Sequence, residues 1–206
     1  MAMLVSNGRV YPLLVTPRLR LRPWREPDLA PFAALNADRR VMEFLPKLLN
    51  RAESDALALS IRDHFAQHGF GLWVVELPGM TNFIGFVGLS VPGFTAPFTP
   101  CVEVGWRLAH EHWGHGYATE AAGAALAFGF NELALDEIVS FTATSNWRSR
   151  RVMERLAMKR SPTDDFEHPA LPEGHPLRSH VLYRLFRPEW QSNEKKGPAR
   201  FRSPVR

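Results

Sequence analysis

Apolar positions along this chain change period several times, and each change marks an element. RLRLRP (18–23) alternates basic and apolar residues, the two-residue period of a half-buried strand. EPDLAPFAALNAD (26–38) carries a proline near its start and Leu29, Phe32 and Leu35 at helical spacing. Residues 51–68 repeat apolar positions at Leu57, Ile61 and Phe65, which predicts an amphipathic helix ending near Gly69. FGLWVVEL (70–77), PGMTN (78–82) and FIGFVGLSV (83–91) read as strand, turn and hairpin partner. Three prolines make 92–100 a loop. CVEVGWRLA (101–109) is a fourth strand, with Gly105 placed for a bulge.

A helix follows over about 116–133, and EIVSFTAT (137–144) is a fifth strand. NWRSRRVMERLAMKR (146–160) opens on an Asn N-cap and puts Val152 and Leu156 on one helical face. After the polar loop 161–177, SHVLYRLF (179–186) is the last strand. No repeat or linker divides this body. Hairpins interleaved with helices predict an α+β domain with a mixed sheet.

Composition narrows the class. The 206 residues suffice for one domain with a real core. The apolar stretch 121–130 is too short to span a bilayer, and the N-terminus has no signal-peptide pattern. Cys101 is the sole cysteine, so no intramolecular disulfide or CxxC metal site exists. These features fit a cytoplasmic protein without membrane partners. The net charge of +4 lies wholly after position 186, where six basic residues meet two acidic ones. The body is balanced, which argues against nucleic acid. Residues 1–187 therefore read as the domain, and 188–206 as a basic disordered tail.

The turn AHEHWGHG (109–116) sets glycines directly before an alanine-rich helix. A helix N-terminus offers free N–H groups and partial positive charge, and glycines let an anion approach the bare backbone. A phosphate or pyrophosphate is the ligand this suggests. Lys-Ser/Thr is missing, as is G-x-G-x-x-G, and Gly-x-Gly taken alone reads more readily as a plain tight turn.

VEVGWRLAHEHWGHGYATEAA (102–122) resembles the diphosphate-binding stretch of the GNAT acetyltransferases, Arg/Gln-x-x-Gly-x-Gly/Ala. Gly116 and Ala118 fill the last two named positions, and Trp113 stands where Arg or Gln is usual. That departure, with WGHGYATEA, resembles the RimJ/RimL-type branch, which acetylates protein N-termini and related amines. The resemblance runs over about 15–187, and includes TPRLRLRPW and the Asn-x-x-Ser helix of NWRSRRVMERLAM.

It implies acetyl-CoA as cofactor and a GNAT fold: a mixed sheet of six to seven strands, the fourth and fifth splayed, flanked by about four helices. The amides of Gly114, His115, Gly116, Tyr117, Ala118 and Thr119 would hold the pyrophosphate, beside Trp113. The backbone of Trp106, Arg107 and Leu108 would pair with the pantetheine arm. Asn146 matches a cofactor-contacting Asn and is equally an N-cap. Family members are often dimers, so a homodimer is a further expectation.

The attacking amine must be neutral, and primary amines are largely protonated at pH 7. The site needs a base. Glu103 sits on the strand that meets the thioester, among Val102, Val104 and Trp106, where desolvation raises a carboxyl pKa. It also matches an acidic position of the family; the alternative points it to solvent. Met153 stands where many family members carry a Tyr donor, leaving Ser149 as the nearest replacement, or a simple helix residue. An amide near Leu108 suits an oxyanion. Cys101 lacks any activating neighbour, which favours direct transfer over an acyl-enzyme. His168, His175 and His180 match no zinc pattern, and no metal is expected. The acceptor is a protein N-terminal amine or a small amine (amino acid, polyamine or aminoglycoside); carboxylates of the TDDFE loop (163–167) would favour polycations. A CoA-binding sensor without activity is the competing class.

Overall fold

The structure is a computed structural model and describes residues 2–6 and 9–196. Ten strands form one path of pairing in the order β1-β2-β3-β4-β5-β6-β7-β10-β8, with β9 on β10. They are β1 Ala2–Ser6, β2 Arg9–Val15, β3 Arg20–Arg22, β4 Leu72–Leu77, β5 Thr81–Ser90, β6 Glu103–Leu108, β7 Glu137–Ala143, β8 Lys159–Arg160, β9 Phe166–Glu167 and β10 Ser179–Phe186. The helices are α1 Leu29–Ala37, α2 Arg51–His68, α3 Tyr117–Asn131, α4 Trp147–Arg155 and α5 Arg187–Lys196.

The expected mixed sheet is present, with more strands than the pattern predicts. The additions are the β1–β2 hairpin and the two-residue β8 and β9, all lacking a clean apolar alternation. Every neighbouring pair is antiparallel except β6–β7. Those two parallel strands register only at Glu103 with Val139, where the Val139 amide donates to the Val102 carbonyl at 2.9 Å. From there toward Leu108 they diverge, which is the expected splay.

Local chemistry explains the helix ends. Asn50 and Glu53 form a reciprocal capping box at the start of α2, and Gly69 closes it in the left-handed conformation (φ 75°). Helix α3 packs Ala121, Ala122, Ala125 and Leu126 flat on the sheet, all fully buried. A Cβ on Gly129 would lie 2.6 Å from Ile138 Cδ1, so glycine there permits the close approach.

Two readings are corrected. Gly105 makes no bulge, because β5–β6 pairing runs unbroken from Gly85–Leu108 to Ser90–Glu103; the register shift lies in β4, between Val75 and Leu77. The segment from 188 is not a disordered tail up to Lys196. It forms α5, whose Trp190 is 1 % exposed and stacks on Phe130 at 5.7 Å. One large apolar ring outweighs the polar composition around it. Residues 197–206 lie outside the described residues.

Beneath β3 lies a fully satisfied buried cation. Arg22 is 1 % exposed and binds Asp28 through two bonds of 2.7 Å. It also donates to Glu76 and to the carbonyls of Pro23 and Asn82.

Candidate active site

The splay and the glycine turn open into one cavity of about 670 Å³. Its lining includes Glu103, Trp106, Arg107, Leu108, Trp113, Gly114, Gly116, Tyr117, Ala118, Thr119, Asn146 and Ser149. His115 does not line it: its ring stacks on Tyr117 at 5.4 Å and its carbonyl accepts from Arg18.

Strand alternation assigns the walls. The Ala109 amide bonds to Ile84 of β5 at 2.9 Å, so Arg107, Gly105 and Glu103 also turn their backbone groups to β5. Those of Trp106 and Leu108 point into the gap where β7 has left. They are free to pair with an extended ligand, apart from the Leu108 carbonyl, which accepts from Trp113 Nε1 at 2.8 Å. Arg107 therefore drops out of the predicted backbone set: its amide belongs to the β5 ladder, although the residue lines the cavity.

The turn makes an anion cradle. Gly114 and Gly116 have φ of 80° and 79°, the left-handed region that favours glycine. An added Cβ at Gly114 would meet nothing within 4 Å, and at Gly116 only Arg18 Nη2, at 3.6 Å. The first α3 turn leaves the amides of Tyr117, Ala118 and Thr119 without intrahelical acceptors. Glu120 points away and binds Thr16 Oγ1 at 2.6 Å and the Arg18 guanidinium, so its charge does not face the cradle. Open amides at a positive helix end fit the diphosphate of coenzyme A.

Asn146 caps α4 by accepting from the Ser149 amide at 3.2 Å, and donates to Thr142 Oγ1 and to Ser149 Oγ. Ser149 thus accepts one bond and keeps its own O–H for a ligand. Met153 is buried.

Glu103 faces the cavity, not solvent. Desolvation pushes its carboxyl up to about 8, opposed by a hydrogen bond from Ser90. Desolvation alone lowers Arg107 to about 10. Burial also raises the Cys101 thiol to about 11, with Glu103 and Glu137 adding to it, so no thiolate nucleophile forms at neutral pH. Glu103 shares its face with Gly105, Arg107, Phe86 and, across the splay, Phe141. Val41, Phe44 and Leu45, with Leu57 and Ile61 of α2, add an apolar part to the lining. Phe141 joins an aromatic cluster holding His168 and His180, whose imidazoles burial shifts below the usual value.

The TDDFE carboxylates are not in the cavity. Asp164 binds Arg184, Asp165 binds Arg160, and Glu167 binds Arg178. Apart from Glu103, the ionic lining is cationic: Arg40, Arg107, Arg148, Arg151 and Arg155. The last three were legible as positions i, i+3 and i+7 of one helical face, a signal the apolar pattern alone overlooks.

Residues 18–159 match the family model of the acetyltransferase (GNAT) domain. The chain belongs to the GNAT acetyltransferases. It is 30 % identical over 205 residues to FsC-acetyl coenzyme A-N(2)-transacetylase of Aspergillus fumigatus, covering 94 % of this chain and 84 % of the relative. Its fold is similar to spermidine N-acetyltransferase from Vibrio cholerae, solved with CoA and spermine (TM-score 0.67, 21 % identity, 85 % of this chain and 99 % of that one). It is equally similar to ribosomal-protein-S5-alanine acetyltransferase from Vibrio fischeri (TM-score 0.67, 18 % identity, 86 % and 98 %). As a GNAT protein it is an acetyl-CoA-dependent N-acetyltransferase acting on amines. Among the described residues no helix is long and apolar enough to cross a membrane, and no group of three or more metal-ligating side chains assembles.

Proposed function

We propose that this GNAT enzyme acetylates an α-amine, as the RimJ/RimL-type branch does at protein and peptide N-termini, by direct attack with Glu103 as the base. When bound, acetyl-CoA supplies the acyl thioester. The amides of residues 114–119 would hold its diphosphate, and the gap-facing backbone of Trp106 and Leu108 its extended arm.

The observation that carries the reading is the Glu103 carboxyl at the throat of the splay, raised to about 8. A group of that pKa takes a proton from an α-ammonium (about 8) with almost no penalty, but from an alkyl ammonium (about 10.4) at a cost of roughly 3 kcal/mol. An α-amine is therefore the matched acceptor. The cationic lining and paired loop acids weigh against a polyamine. Ser149, with its hydroxyl hydrogen uncommitted, offers a hydrogen bond to the departing thiolate, which takes its proton from water.

Glu103→Gln tests this directly. Its kcat/KM falls about 10²–10⁴-fold, while calorimetric acetyl-CoA affinity stays within about twofold of wild type. Wild-type rates rise with pH as Glu103 loses its proton, and the variant keeps only the part of that rise that the acceptor amine's own ionisation supplies. Coenzyme binding without transfer to any amine would instead mark a sensor.

A further inference from the structure

Arg107 is a cation built into the acceptor side of the cleft without a carboxylate to match it. Among the described residues its one hydrogen-bond partner is Asn36, whose Oδ1 accepts from Nη1 at 2.6 Å. Asn36 is itself held by Ser54 at 2.9 Å, so the guanidinium is fixed in place. Its plane lies 5.2 Å from the Phe86 ring. A guanidinium has five N–H donors, and one bond leaves Nε and Nη2 for a ligand. Of the other arginines in the lining, Arg40 and Arg148 are already paired with Asp38 and Glu43, and Arg151 and Arg155 stand on α4, not on the β6 face that carries Glu103.

The strand face between Glu103 and Arg107 is empty by design of the backbone. Gly105 stands between them, and a Cβ there would meet only Glu103 Oε1, at 3.8 Å. The Glu103 carboxyl therefore leans along the strand over Gly105, and Arg107 follows about 7 Å further on the same face. A proton acceptor and a fork-shaped cation flank one open patch. An acceptor whose amine meets the first extends along the strand face toward the second.

We infer that Arg107 binds a carboxylate on the acceptor, so that the substrate is an α-amine carrying a carboxylate within a few bonds. This rests on the reading of Glu103 as the base of this cleft. Two sources present that chemistry: a free amino acid, through its α-carboxylate, and a peptide with Asp or Glu at its first or second position. Guanidinium–carboxylate recognition is planar and two-pronged, which selects for geometry as well as charge. Filling the fork also relieves the cost of holding a half-buried cation without a counter-charge.

The test compares matched acceptors by release of free coenzyme A thiol. One panel pairs amino acids with their carboxamides. The other pairs peptides beginning with Asp or Glu, at position one or two, with the Asn and Gln counterparts. Spermidine serves as the polycation. In at least one panel, wild-type kcat/KM favours the acid by about tenfold or more, and the panel that does so identifies the source. In Arg107→Gln that ratio collapses to within about threefold, while Arg107→Lys retains part of it. Glu103→Gln slows acid and amide members in parallel. Equal wild-type rates for acids and amides overturn the inference and leave the transferase reading intact, and need no variant to fold. A ratio unchanged in Arg107→Gln overturns it as well. Acetyl-CoA binding with no transfer to any member overturns both readings together.

Discussion

Arg22 and Arg107 are both largely enclosed by protein, and their company differs in every respect. Arg22 uses all five of its donors, on Asp28, Glu76 and two carbonyls. Arg107 uses one, on a neutral amide. Glu103 repeats the contrast: Asp28 meets a guanidinium head-on, whereas among the described residues Glu103 has the Ser90 hydroxyl and no cation. The molecule can satisfy buried charge, and does so where the purpose is to tie β3 to β4 and the turn before α1. In the cleft it leaves charge unmatched. Unmatched charge at a cavity wall is poor architecture and good chemistry, because the incoming ligand completes it.

The largest effect should come from breaking the satisfied cluster. Asp28→Ala strands a buried guanidinium and should destabilise the fold by about 3–5 kcal/mol, read from urea unfolding. A loss under about 1 kcal/mol would mean that Arg22 is wet, and the contrast would vanish.

The cleft should behave in the opposite way. The folded Glu103 carboxyl, raised to about 8 from an ordinary 4.5, keeps its proton where the unfolded chain has released one. Stability therefore falls as pH rises between 4.5 and 8 and levels off above. Glu103→Gln removes that loss. At pH 9 the variant should be the more stable protein by on the order of 1–2 kcal/mol, measured by melting temperature across the pH series. A variant less stable than wild type at pH 9 would show that the carboxylate is welcome in the fold.

Ser149→Ala should have the smallest effect. The Asn146 cap survives through the Ser149 amide, so stability changes little. Because water can replace one hydroxyl donor, kcat should drop by less than about tenfold. A loss as large as that of Glu103→Gln would shift the decisive proton transfer to the sulfur side.

Much of this was legible in residue order, and the limits have physical causes. Glycines before an alanine-rich helix mark a backbone open to an anion, but the same letters describe a plain tight turn, and only the longer stretch 102–122 with its family resemblance separates the two. Asn146 with Ser149 spells a cap within four residues. Glu103 was identifiable because alternation on β6 leaves it one of two faces, although only the fold shows which is lined by the cavity. The isolation of Arg107 could not be read, because its partner Asn36 lies 71 residues away and a missing carboxylate leaves no local signal. The charge pairing of the TDDFE loop was equally hidden, since its three partners, Arg160, Arg178 and Arg184, all lie outside the loop. Trp190 escaped because one ring in polar sequence has no periodicity to betray it.

That ring bears on where the protein can be trimmed. Anyone trimming it by composition would cut after residue 187, and would thereby uncover the aromatic flank of Phe130 on the same helix whose opening turn is the proposed diphosphate cradle. Among the described residues the last apolar anchor sits three positions beyond that cut, so a shortened version has to keep α5 to keep the helix seated.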